Sequence, residues 1–346
     1  MKPIIIIDNA IPYTQGVLED VADVVRLPAT DITHQAVHAA DALIIRTRTH
    51  CNATLLNGSR VRFVGSATIG FDHIDTAWCA THGITWCTAP GCNAEAVAQY
   101  VLTAISHYAV WQHLNISNLT IGIVGVGHVG TRVAELAKRM DMRILLNDPP
   151  RAVVEKHSQF VAIDEVARHA DIITFHTPLT TQGDYPTLYL ADMDFFDHLQ
   201  HKPLIINAAR GGVVDEIGLL QAHAAGRVNA VVLDCWEHEP EINRTMLQTA
   251  WIATPHIAGY SVNGKANATE QCIRAVSRFF GLGIDNFRVT TLPNMPPCQA
   301  ATPTELQQAF LNAYDIEGDS VRLKAHPETF EQQRTHYALR NDLQIV

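Results

Sequence analysis

Thr120-Ile-Gly-Ile-Val-Gly-Val-Gly-His-Val-Gly130 is the stretch whose reading decides the fold. A short apolar run ends at Val124, three glycines follow at GxGxxG spacing, and Val129, Val133, Leu136 and Met140 then recur on one helical face. Strand, tight turn and helix in that order predict the opening of a βαβ unit. Gly125 permits the turn, Gly127 lets a pyrophosphate approach the backbone, and Gly130 lets the helix pack close to the strand. An anion there meets the free N–H groups of the helix N-terminus. Asp148, 18 residues after Gly130 at the end of the next apolar run, offers a carboxylate to ribose hydroxyls and repels a 2′-phosphate. NAD is therefore expected over NADP, with Arg151 as the one nearby cation that could greet a 2′-phosphate.

Working outward, apolar runs at 120–124, 143–147, 171–177, 204–208, 230–234 and 251–254 alternate with helical patterns, as in a doubly wound parallel sheet. Upstream, runs at 3–8, 42–47, 61–66 and 84–88 predict a second sheet of the same kind without a glycine fingerprint. Asp72 as N-cap and Asp75 as third-position acid read as a helix start there. A helix is expected over 94–112, capped by Asn93, with Val97, Val101, Ile105 and Tyr108 as an apolar stripe able to bridge two domains. After residue 256 a helical pattern over 264–281 returns to the first domain. Residues 292–297 read as a linker, and 304–314 and 327–339 as two further helices. The expected fold class is α/β: two Rossmann-like doubly wound domains, 1–92 with 258–284 and 93–257, plus a small C-terminal α+β dimerisation domain, 285–346.

Composition sets limits on function. The 346 residues carry a formal net charge of -10, which argues against a nucleic-acid partner and requires any anionic substrate to meet a local basic pocket. Seven cysteines without a CxxC pair argue for a reducing compartment. The N-terminal apolar run is too short for a signal peptide, and no stretch approaches a membrane span. A cytoplasmic protein with no membrane partner is expected.

Three side chains carry the chemistry. Arg210 follows the run at 204–208 and precedes Gly211-Gly212; Glu239 follows the run at 230–234; His256 follows the run at 251–254. Each alone reads as an ordinary surface or structural residue. Together they follow successive strands at the edge where doubly wound sheets bind ligands. A guanidinium fork suits a carboxylate, imidazole moves a proton near neutrality, and a neighbouring carboxylate fixes its tautomer. This set suits oxidation of a 2-hydroxy acid, with His256 as base, Glu239 as its partner and Arg210 on the substrate.

The strings GIVGVGHVG, NAARGGVVDE, LDCWEHEP and TPHIAGY make the chain resemble the D-isomer-specific 2-hydroxyacid dehydrogenases over roughly residues 40–280. ATIGFDHID, APGCNAEAV, NDPPR, FHTPLT and TPHIAGYSVNGK narrow this to the branch acting on 4-phospho-D-erythronate. That resemblance implies NAD-dependent oxidation to (R)-3-hydroxy-2-oxo-4-phosphooxybutanoate, in vitamin B6 synthesis. It also implies that Thr47, Thr68 and Tyr260 touch substrate. His128, Val129, Thr177, Ala208, Ala209, Asp234 and Gly259 would line the nucleotide beside Arg210, and the C-terminal domain would form a homodimer. Arg46 and Arg48, two apart in an extended segment, could meet the substrate phosphate or be solvated arginines at a strand end. No metal is expected: His34 and His38 have ligand spacing but no third partner, and Cys87 and Cys92 read as small buried residues. The alternatives are a sibling acting on glyoxylate, hydroxypyruvate or 3-phosphoglycerate, or an NAD(H)-sensing binding protein, which the intact catalytic set opposes.

Overall fold

Ile5 and Ile7 face one apolar cluster, while Ile6 and the partly buried Ile4 face another. An uninterrupted apolar run covered on both faces is what a central parallel strand requires. The computed structural model, which describes residues 2–156, 159–293 and 297–345, makes this run β1 (Ile4–Asp8). The other strands of the sheet are β2 (Asp23–Leu27), β3 (Ala42–Ile45), β4 (Phe63–Ser66) and β5 (Thr85–Cys87). All pairs are parallel in the order β2-β1-β3-β4-β5, a flavodoxin-like winding. Helix Val262–Phe280 covers one face, packing Ala268, Cys272, Ile273 and Val276 with Ile5, Ile7 and Phe63. The first of two compact units is therefore discontinuous, Met1–Asn93 with Ser261–Asn294.

Three local details depart from the sequence expectation. β2 was missed because Asp23 and Arg26 break its apolar pattern; as an edge strand it needs only partial burial. β3 stops at Ile45, and Thr49 N–H donates to Arg46 O at 3.2 Å, so residues 46–49 turn. Helix Thr76–Thr81 is capped by Asp75, not Asp72: the Asp75 carboxylate accepts from Trp78 N at 2.9 Å.

The second unit, Ala94–Tyr260 with Met295–Val346, holds β6 (Thr120–Val124), β7 (Arg143–Asn147), β8 (Ile172–Phe175), β9 (Leu204–Asn207), β10 (Ala230–Leu233) and β11 (Ile252–Ala253). The order is β11-β10-β9-β8-β6-β7, parallel throughout. A single bridge, Leu146 to Phe160, marks a further rung beyond β7. The winding reverses between β6 and β8, which opens a crevice at their C-terminal ends. Helices Ala94–Trp111 and His128–Arg139 cover one face, with Val101, Ile105, Val133 and Leu136 against Ile121, Ile206 and Val232. Helix Ala94–Trp111 lies wholly within this unit, and Asn93, its expected cap, keeps Oδ1 buried without a hydrogen-bond partner.

Residues 285–346 are expected to form a third body; by contact they divide between the two units, 285–293 grouping with the first and 297–345 with the second. From 297 onward the described residues complete the second unit, because the segment is too small to enclose a core of its own. Leu306, Phe310 and Ile316 join one apolar cluster of the sheet; Leu323 and Phe330 join the other. The segment comprises helices Pro303–Leu311, Ile316–Ala325 and Phe330–Thr335. Among its described residues Cys298, Arg340 and Ile345 are bridge residues, Cys298 pairing with Ile345, so extended pairing is sparse beside the helices. Helix Ile316–Ala325 replaces an expected loop and supplies Ser320, whose Oγ accepts the Ala253 N–H of edge strand β11 at 2.9 Å. The expected linker at 292–297 falls partly outside the described residues.

Candidate active site

Gly125 follows β6 with φ 87°, and a Cβ there would lie 2.8 Å from both the His176 carbonyl carbon and the Thr177 methyl. Gly130 is tighter still, since a Cβ would stand 2.0 Å from Gly125 O. At Gly127 the same position has nothing within 4 Å, and the 12-residue helix His128–Arg139 starts there with no side chain capping its first turn. Bare N–H groups at the positive end of a helix, facing open space, suit a pyrophosphate. Across the crevice Thr177 keeps Oγ1 buried without a partner, as a contact awaiting a polar ligand would.

Asp148 stands at the end of β7. Its Oδ2 accepts from Val126 N at 2.8 Å and its Oδ1 from Arg151 N at 3.1 Å, so it also braces the glycine turn. Arg151 is engaged elsewhere: it pairs with Glu155 at 2.6 Å and donates to Val126 O. That removes the one nearby cation suggested for a 2′-phosphate.

Arg210, Glu239 and His256 follow β9, β10 and β11, three neighbouring parallel strands, and so share one sheet edge. His256 Nδ1 lies 2.8 Å from Glu239 Oε2 and 3.1 Å from Oε1. A carboxylate only accepts, so Nδ1 carries the hydrogen, and in the neutral form of the ring the lone pair is on Nε2. Burial pushes the Glu239 carboxyl up, but the His256 ring and the hydrogen bonds from His256 and Trp236 N outweigh it, leaving Glu239 below the usual carboxylate range.

His256 adopts φ 57°, a left-handed conformation costing on the order of 1–2 kcal/mol in a residue other than glycine. The next two N–H groups, of Ile257 and Ala258, donate to Asp234 at 2.7 and 2.9 Å. Asp234 is buried and also accepts from Thr254 Oγ1 at 2.7 Å. The resemblance placed Asp234 beside the nucleotide; here both its oxygens are engaged by the turn that carries His256.

Half-buried Arg210 donates from Nη1 to Ala209 O at 2.7 Å, and its own carbonyl accepts from Asn207 Nδ2 at 2.9 Å. Gly211 packs so tightly on the Glu239 loop that a Cβ would lie 1.8 Å from Trp236 O. Cys235 Sγ donates to Ala209 O at 3.4 Å and lies within 4.8 Å of donor atoms on Glu239 and His256. Burial, then the Asp234 charge, pushes that thiol well above its usual range.

Of the other expected residues, Tyr260 belongs to this unit and meets Tyr337 edge-on at 6.3 Å. Ala208 and Gly259 are half-buried and Ala209 is buried. Thr68 lies in the first unit, its Oγ1 2.6 Å from Ser66 Oγ and donating to Gly70 O at 3.1 Å. Thr47 and Arg48 are exposed and Arg46 half-buried. Because they occupy a turn, the alternation argument that paired the two arginines fails. His34 and His38 are exposed, Cys87 half-buried and Cys92 buried.

Sequence reasoning missed Glu216, Arg334 and Arg340. Arg334 Nη1 lies 4.0 Å from Glu239 Oε2 and 3.7 Å from Glu331 Oε2. Glu216 Oε1 accepts from Glu237 N at 2.8 Å while Glu237 Oε1 accepts from Glu216 N at 3.1 Å. The signal for Glu216 was present in the crowding of acids within VVDE and WEHEP. Burial first, then the charges of Glu237, Glu239 and Asp215, push Glu216 from 4.5 to about 7, against the pull of the Glu237 N–H.

Folded protein therefore holds a proton there that the unfolded chain releases, and stability falls as pH rises through that window. Glu216→Gln abolishes this cost. Its thermal midpoint should gain on wild type between about pH 5 and about pH 8, equivalent to about 1–3 kcal/mol. Melting curves across that range check it, and a pH-independent difference would refute it.

Residues 94–258 match the family described as D-isomer specific 2-hydroxyacid dehydrogenase, NAD binding domain. The chain is 47% identical to erythronate-4-phosphate dehydrogenase of Bacteroides thetaiotaomicron over 98% of its own length and 97% of the relative's. It is 42% identical to the Edwardsiella ictaluri protein of that name, over 98% and 92%. Among solved structures, D-lactate dehydrogenase of Aquifex aeolicus superposes with a TM-score of 0.67 at 22% identity, over 84% of this chain and 100% of that one. NAD-bound 3-phosphoglycerate dehydrogenase of Entamoeba histolytica gives 0.68 at 22% identity, over 85% and 100%. At that identity the two structures establish a shared fold.

Proposed function

This chain belongs to the erythronate-4-phosphate dehydrogenases, within the D-isomer specific 2-hydroxyacid dehydrogenase family, and on that premise we propose that it oxidises 4-phospho-D-erythronate at C2. The product is (R)-3-hydroxy-2-oxo-4-phosphooxybutanoate, on the way to pyridoxal 5′-phosphate. The chain is an NAD-dependent dehydrogenase. The observation that carries the catalytic assignment is the 2.8 Å contact of His256 Nδ1 with Glu239, on the sheet edge shared with Arg210.

Bound NAD supplies an acceptor for the hydride that leaves C2. The glycine turn 125–130 and its helix would hold the pyrophosphate, Asp148 the adenosine ribose, and Thr177 one further polar contact. Neutral His256 takes the C2 hydroxyl proton on Nε2, and Glu239 stabilises the resulting imidazolium. Arg210 binds the substrate carboxylate with its fork and stabilises charge on the forming carbonyl. In reverse, His256 donates that proton.

Thr47, Thr68 and Tyr260 are proposed as substrate contacts on the family resemblance, while Arg46 and Arg48, first suggested by strand alternation, keep only their place beside Thr47 in the turn. A cytoplasmic homodimer belongs to the same proposal, and light scattering would read its mass. No described helix is long and apolar enough to cross a membrane.

A panel of acids followed by nicotinamide absorbance tests the substrate. We expect kcat/KM for 4-phosphoerythronate to exceed those for the glyoxylate, hydroxypyruvate and 3-phosphoglycerate couples by about 100-fold or more. Preference for one of those would replace the substrate. NADH binding without turnover of any would point to a sensor.

A further inference from the structure

Ile257 and Ala258, the two residues after His256, are gripped from both sides of the backbone. Their N–H groups meet Asp234 at 2.7 and 2.9 Å. Their carbonyls meet Arg340, with Nη1 donating to Ile257 O at 3.0 Å and Nη2 to Ala258 O. Nη2 also donates to Ala96 O, at 3.1 Å, in the first turn of helix Ala94–Trp111.

The Arg340 side chain is buried, and its guanidinium lies over the Tyr314 ring at 4.6 Å. Burying a cation is costly unless several acceptors surround it, and a planar fork fixes where those acceptors lie. Left-handed backbone at a residue such as His256 persists only where its surroundings over-determine it. In the same segment Arg334 flanks Glu239 at 4.0 Å.

We propose that the C-terminal segment serves the reaction in cis. Arg340 is a positioning residue that, opposite Asp234, fixes the backbone of His256 so that its ring meets Glu239, while Arg334 adds positive charge beside that carboxylate. The segment is thus part of the catalytic machinery, whatever it contributes to subunit contact. This rests on the reading of His256 as the proton acceptor.

The test uses Arg340→Gln, Arg340→Lys and Arg334→Gln in the full chain, with His256→Asn as control. In Arg340→Gln, kcat should fall about 10–100-fold while KM and the NADH dissociation constant stay within about threefold. Lysine should restore little, since it keeps the charge but loses the fork. The downfield proton resonance of His256 Nδ1–H in its bond to Glu239, identified by its loss in His256→Asn, should weaken in Arg340→Gln. Arg334→Gln, at a less buried position, should slow kcat about 3–10-fold at unchanged KM.

Folded Arg340→Gln with wild-type kcat and an intact resonance overturns the proposal. Should that variant not fold, wild-type kcat in both Arg340→Lys and Arg334→Gln overturns it instead. If His256→Asn itself keeps turnover, the catalytic reading falls. If His256→Asn is inactive while the arginine variants are as fast as wild type, this inference alone falls.

Discussion

Replacing His256 by asparagine should lower kcat roughly 10²–10⁴-fold while NADH binds within about twofold of wild type. Asparagine tolerates left-handed backbone better than most residues, so the turn at φ 57° survives the exchange. Asp234 and Arg340 still hold Ile257 and Ala258 on either side. What disappears is the lone pair on Nε2, and with it the group that receives the hydroxyl proton. The nucleotide is expected at residues 125–130 and 148, which His256 does not shape, so loss should appear in kcat and kcat/KM together. Steady-state absorbance and NADH fluorescence titration read the two halves separately, and wild-type turnover would remove His256 from the mechanism.

Gly130→Ala should act on the other half. Its Cβ would sit 2.0 Å from Gly125 O and 3.2 Å from Ile123 Cγ2, and backbone cannot swing aside as a flexible side chain can. Helix His128–Arg139 must move, taking its N-terminal N–H groups off the pyrophosphate and disturbing Val133 and Leu136 in the core. A misfit of about 1–3 kcal/mol in packing is expected, with NADH affinity lowered about 10–100-fold. Gly127→Ala separates the effects, because open space surrounds its Cβ. That variant should melt like wild type yet bind NADH poorly. Equal NADH affinity in both variants and wild type would mean the pyrophosphate lies elsewhere.

Much of this was readable from residues. Strands announce themselves as apolar runs, and β6 to β11 were placed within a few residues for that reason, the edge strands β7 and β11 included. Glycines at 125 and 130 were readable because a side chain there would meet backbone, and Gly127 because its open side leaves room for a ligand. Elements whose pattern is broken by charges were not: β2 carries Asp23 and Arg26 among its five residues, and helix Ile316–Ala325 reads EGDSVRLKA after its first residue. Arg334 and Arg340 were invisible because their roles depend on where a distant segment docks, which no local period encodes. Arg46 and Arg48 failed differently, through a strand end set two residues too late.

The first unit has a consequence for how the chain acquires its shape. Cys272, Ile273 and Val276 close over Ile5, Ile7 and Phe63 only after some two hundred intervening residues exist. Contacts this remote in sequence carry a heavy loop-closure entropy and slow the search. During translation the early parallel strands wait with one greasy face uncovered, a state prone to sticking to its neighbours. A chaperone that shields that face until the long helix emerges is therefore expected to raise the yield of native protein.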